Sequence, residues 1–64
     1  MSKTALMLLG DKLRERGVSY SVESKMDQDY TQVTELRLED GKFVHVHTWL
    51  FDYRGVTLLD DGLL

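Results

Sequence analysis

His45 and His47 are the residues best placed to do chemistry, two imidazoles separated by one residue inside Phe43-Val44-His45-Val46-His47-Thr48-Trp49-Leu50-Phe51. Successive side chains of a regular β-strand point to opposite faces, so an H-x-H pair stands on one side, about 6.5–7 Å apart along the strand. Neutral imidazole is a common zinc ligand, and two on one strand can contribute to one ion. A zinc site needs at least a third ligand, and the sequence nominates only Glu35 or Asp52, at no defined spacing. H-x-H alone does not define a metal site. No metal or cofactor is therefore assigned, and His45 and His47 stand as the candidates.

The same stretch offers a second chemistry. Its odd positions carry Phe43, His45, His47, Trp49 and Phe51, and its even positions carry Val44, Val46, Thr48 and Leu50. If the aliphatic row faces the interior, rings and imidazoles line the other side of the strand. Interface centres are enriched in Trp, Tyr, Phe, Met and Arg. The expected partner-binding surface is Phe43, His45, His47, Trp49 and Phe51, joined by Glu35 and Arg37 from the neighbouring strand. If the odd row faces the interior instead, the aromatics are simply core.

Other chemistries find little support. Ser19, Ser21 and Ser24 lack nucleophile-elbow glycines, there is no cysteine, and Gly10, Gly17, Gly41, Gly55 and Gly62 are too scattered for a phosphate loop. An enzyme is not expected. Stacking of bases on Phe43 and Trp49 would imitate sheet-based single-strand binders, but those surfaces are bordered by Lys and Arg. Here the neighbours include Glu23, Glu35, Glu39, Asp40 and Asp52.

The net charge of −3 is unevenly spread. Residues 1–17 hold four bases against two acids, giving +2, and the remainder holds four against nine, giving −5. Nucleic-acid binding depends on neutralising phosphates, which an acidic body opposes. Only the basic helix end, Lys12, Arg14 and Arg16, supports it.

These residues need elements to position them. Ser2 or Thr4 can cap a helix running to about Arg16, with Gly17 in the left-handed position beyond its end. Ala5, Leu6, Leu9 and Leu13 form one apolar stripe at helical spacing. Leu8 lies on its flank and Met7 points nearly away, which nominates Met7 and Leu8 as contacts to a second chain. Gly10 in mid-helix costs about 1 kcal/mol relative to Ala and is consistent with close approach of another backbone.

Val18, Tyr20 and Val22 alternate with Ser19, Ser21 and Glu23 as a first strand. After a polar turn at 26–29 come strands at Tyr30 to Glu39 and 42–51, joined by the hairpin signal Asp40-Gly41. A turn at 52–55 precedes a short strand from Val56 to Leu59, and the tail 60–64 is expected to be loose. The fold class is α+β, one N-terminal helix on one face of a three- to four-stranded antiparallel meander. One helix covers one face, so the other is wet or covered by something else.

Which face is open depends on the hairpin register. A two-residue loop pairs Glu39 with Lys42 and sets Leu36 and Leu38 on the face of His45 and Trp49. A three-residue loop pairs Leu38 with Lys42, sets Leu36 and Leu38 beside Val44 and Val46, and opposes Glu35 to His45. We favour the second, because it gives the cleaner aliphatic core and a one-residue slip exchanges whole faces.

At 64 residues the chain is one domain and buries only about 60% of the surface its unfolded form exposes. Without cysteine no disulfide supplements the core. The longest apolar run, Ala5 to Leu9, is far below the roughly 20 residues needed to span a bilayer, and no signal-peptide pattern is present. A cytoplasmic location is expected. In size and composition the chain resembles the very short, cysteine-free, acidic α+β proteins with which phages and mobile elements block host machinery, restriction or CRISPR complexes included. That class-level likeness implies a non-enzymatic protein-binding inhibitor, with a second copy of the chain or a different protein as its partner.

Overall fold

The computed structural model describes residues 3–61. They form helix α1 (Ala5–Glu15), strand β1 (Ser19–Lys25), a single 3-10 turn (Met26–Gln28), then strands β2 (Tyr30–Glu39), β3 (Lys42–Asp52) and β4 (Leu58–Asp60). The strands make one antiparallel sheet in the order β1-β2-β3-β4. The expected layout of one helix and a meander is therefore present. Ser2 and the tail residues 62–64 lie outside the described residues. Asp60 belongs to β4, so the tail is not loose throughout, and β4 begins two residues later than expected.

Local chemistry explains the boundaries. Thr4 Oγ1 accepts the Met7 amide at 3.3 Å, satisfying one free donor at the start of α1. Gly17 follows the helix at φ 69°. Asp40 and Gly41 both have positive φ, 52° and 78°, as the tight two-residue turn favoured by twisted hairpins requires. Asp52 organises the loop before β4, where its Oδ1 accepts the amides of Val56 and Thr57 at 2.7 and 3.1 Å.

The core is small. Leu13, Val33 and Phe51 are buried, and Ala5, Leu6, Leu9, Val18, Tyr20 and Trp49 pack around them. The apolar stripe of α1 thus lies on the face that carries Val33, Trp49 and Phe51. The molecule is 16 Å thick along its shortest axis, the depth of one helix layer on one sheet. Among the described residues, no helix or second sheet lies on the other face, which is bare.

This arrangement corrects the favoured register. Glu39 pairs with Lys42, so the loop has two residues, not three. That pairing continues through Leu38–Phe43, Arg37–Val44 and Leu36–His45; then a β-bulge intervenes, and Glu35 pairs with His47, Val33 with Trp49 and Thr31 with Phe51. Val46 is the extra residue. A bulge admits one unpaired residue and resets which face the following side chains occupy.

The nine-residue alternation is therefore cut in two. Phe43 and His45 stand with Leu36 and Leu38 on the bare face, while Trp49 and Phe51 stand beneath the helix, with His47 on their side of the sheet. Leu36 and Leu38 do not join Val44 and Val46 in an aliphatic core. The core comes instead from Val33 and the later aromatics, with Val46 exposed. Trp49 and Phe51 have the large apolar area that a one-helix layer most needs to bury, and the bulge lets them be buried without taking Phe43 along.

Candidate functional site

The seven residues expected to meet a partner do not form one surface. Phe51 is 2% exposed and Glu35 7%. Trp49 and His47 are half-buried, with ring centroids 4.2 Å apart and planes tilted by 31°. The His47 Nε2 donates to the carbonyl of Asp61 at 2.9 Å. Glu35 opposes His47 rather than His45, and Arg16 reaches its carboxylate at 3.5 Å. Arg37 is exposed and pairs with Glu39 at 2.6 Å. Of the set, only Phe43 and His45 reach the bare face.

The bulge also separates the two imidazoles. His45 pairs with Leu36 and His47 with Glu35, on opposite faces of the sheet. The expectation that the H-x-H pair shares one side therefore fails, because the spacing rule holds only in an unbulged strand. Among the described residues, no group of three or more His, Cys, Asp or Glu is arranged to hold a metal ion.

The basic helix end is largely engaged within the molecule. Arg14 donates to the Tyr20 hydroxyl at 2.6 Å and also bonds Asp11, which accepts from Lys3 as well. The hydrogen bond from Lys3 chiefly, and the one from Arg14, hold the Asp11 carboxyl below its ordinary value, and Asp11 in turn raises the Arg14 guanidinium. Gly10 makes room for this cluster: a Cβ there would stand 3.3 Å from Arg14 Nη1 and 3.5 Å from the Tyr20 hydroxyl. The close approach at Gly10 is by side chains of the same chain.

Met7 and Leu8 are both exposed but lie on opposite flanks of α1. Met7 borders a cleft of about 270 Å³ with Tyr20, Val22 and Val33 on the β1 side. Leu8 borders a shallower apolar groove with Trp49, Phe51 and Leu58 on the β4 side.

Among the described residues, the bare sheet face is an extensive surface that the fold leaves without a layer. Its pairs across β2 and β3 are Tyr30–Asp52, Gln32–Leu50, Thr34–Thr48, Leu36–His45 and Leu38–Phe43. Leu38 and Phe43, at its hairpin end, are 61% and 60% exposed. Thr34 and Thr48 at its middle are buried, and Thr48 Oγ1 has no hydrogen-bond partner among the described residues. No sequence signal pointed to this face, because Leu36 and Leu38 read as core and nothing in Val44-His45-Val46 announces a bulge. No helix among the described residues is long and apolar enough to cross a membrane. No protein-family model, curated protein or solved structure matches the chain.

Proposed function

We propose that the chain is a non-enzymatic protein-docking module that binds another protein through the helix-free face of its sheet. The observation that carries this reading is the exposed cross-strand pair Leu38–Phe43, continued along the same face by Leu36 and His45. A contiguous apolar patch on a small protein usually marks a binding surface. The charged residues registered on this face favour a protein over a nucleic acid, since Lys25 is set against Glu23, Asp52 and Asp60. Two of the three bases at the helix end are also occupied by Asp11, Tyr20 and Glu35. The likeness in size and composition to short inhibitors of phages and mobile elements supports a component of a host complex as partner.

The test compares capture from an extract of the source organism by wild type and by Leu38→Ser/Phe43→Ser. The proposal expects a protein retained by the first and lost by the second, with circular dichroism unchanged. Identical retention by both would overturn it.

A further inference from the structure

The outer edge of β1 is a second unpartnered surface, distinct from the bare face. Residues Ser19–Lys25 pair only with β2, through an unbroken register from Ser19–Leu36 to Lys25–Tyr30. Along seven residues the backbone groups directed away from β2 have no strand to bond among the described residues. Natural proteins blunt such edges with bulges, prolines, charged side chains or very short strands. The other side of the sheet does so: β3 is bulged at Val46 and β4 has only three residues. β1 carries no bulge and no proline, and its two charges, Glu23 and Lys25, stand on the helix-free face and pair with each other at 3.5 Å.

From this geometry we infer that β1 is a homodimer edge, at which a second copy of this chain adds its own β1 antiparallel to form one eight-stranded sheet. Self-pairing needs a strand that complements its own reverse, and β1 does so about Val22. Centring the two-fold there sets Val22 against its own copy, Tyr20 against Ser24, Ser21 against Glu23 and Ser19 against Lys25. No like charges stand directly opposite one another. The two Glu23 side chains lie diagonally across the axis, each with the Lys25 of its own chain at 3.5 Å.

Side chains at the edge fit the same occupant. Val22 and Met7 are 50% and 56% exposed and border the cleft between α1 and β1. Pairing about Val22 brings the clefts of the two copies face to face across the axis, where the unbranched Met7 side chains can fill them. Lys3 and Arg14 at the rim are already bonded to Asp11 and need no charged partner. Both helices then lie on one side of the joined sheet and both bare faces on the other. The dimer would double the docking face without using it.

The inference does not depend on the proposed function, and its test reads mass and cross-linking rather than capture. Wild type, Val22→Lys and two single-cysteine variants are compared by sedimentation up to hundreds of micromolar and by air oxidation. The chain has no cysteine, so any disulfide reports the introduced residue. Antiparallel neighbours stand about 4.5–5.5 Å apart between Cα atoms, within disulfide reach. Wild type should sediment at twice the chain mass, and Val22→Lys should weaken association about tenfold or more while keeping its circular dichroism. Val22→Cys should cross-link to its own copy and Phe43→Cys should not. A monomeric wild type, an undiminished Val22→Lys dimer, or cross-linking through Phe43→Cys in place of Val22→Cys would each overturn it.

Discussion

The backbone carbonyl of Gly55 accepts the amide of Leu6 at 2.9 Å, which ties the first turn of α1 to the loop before β4. The opening amides of a helix have no partner within it, so this bond satisfies one that would otherwise need water. Gly55 is buried at φ 78°, and a Cβ there would come within 2.8 Å of Leu6 Cβ and Cδ2. Gly55→Ala should therefore cost about 2–5 kcal/mol, from left-handed strain together with overpacking. Gly41→Ala is the control, with φ also 78° but open space around it, and should cost only the strain, about 1–2 kcal/mol. Urea denaturation of both variants separates the Leu6 contact from the backbone term. Equal losses would show that the contact contributes nothing.

Phe43 and Phe51 have the same side chain, in the same strand, at positions of the same parity, yet they face opposite ways. Phe51→Ala empties the centre of a three-residue core and should cost about 3–5 kcal/mol. A domain of this size has a total stability of roughly 3–10 kcal/mol at 0.05–0.15 per residue, so most of the folded population is at stake. Phe43→Ala removes an exposed cross-strand contact with Leu38 and should cost about 0.2–1 kcal/mol. Thermal melts of the pair decide it, and comparable losses would contradict the placement of the two rings.

Most of the fold could be read from the chain, because caps, turn residues and helical spacing are local signals. Thr4, Gly17 and Asp40-Gly41 each act within a few residues of themselves. The faces of the sheet could not be read in the same way. Val33 falls at an odd position of β2 while Leu36 and Leu38 fall at even ones, so hydrophobicity supports either face as core. A single register for the whole hairpin leaves two answers. The structure uses the two-residue register near the turn and a third pairing beyond Val46, a combination that no single-register reading contains. The candidate site accordingly lies on the face around Leu38 and Phe43 and not along the aromatic row.

Thr48 hides its hydroxyl on the bare face without a partner. A buried polar group left unbonded costs about 1–3 kcal/mol, and replacing it with an apolar group of the same shape removes that cost. Valine also favours strands. Thr48→Val should therefore raise the urea midpoint, with a gain of up to about 1–2 kcal/mol. The corresponding change at Thr34, whose Oγ1 accepts from Gln32 Nε2 at 3.1 Å, should give no such gain. A loss on Thr48→Val would mean that the hydroxyl has a partner after all.

The Asp11 carboxyl ionises more readily in the folded chain than its ordinary value of 3.8, owing first to Lys3 and then to Arg14. A carboxylate whose affinity for protons is lowered by folding stabilises the folded state while it is charged. That contribution is present above the unfolded value and is lost as pH falls through the folded one. Wild type should therefore exceed Asp11→Asn in stability at neutral pH, and the gap should close as pH drops below 3.8. Urea midpoints measured at neutral pH and on the acid side of 3.8 read this directly. A gap that widens on acidification would reverse the assignment.

Deleting Val46 tests the bulge that decides which rings are hidden. Its neighbours His45 and His47 already pair with the adjacent residues Leu36 and Glu35. Removing the unpaired residue would therefore leave a continuous ladder in which every other side chain keeps its face. The deletion variant should fold, keep the emission maximum of its single tryptophan and retain nuclear Overhauser contacts between Leu36 and His45. An unbulged wild-type strand predicts the reverse, since removing one residue would then carry Phe43 and His45 through to the opposite face. Loss of the Leu36–His45 contacts on deletion, with the fold retained, would therefore remove both the bulge and the bare apolar face that depends on it.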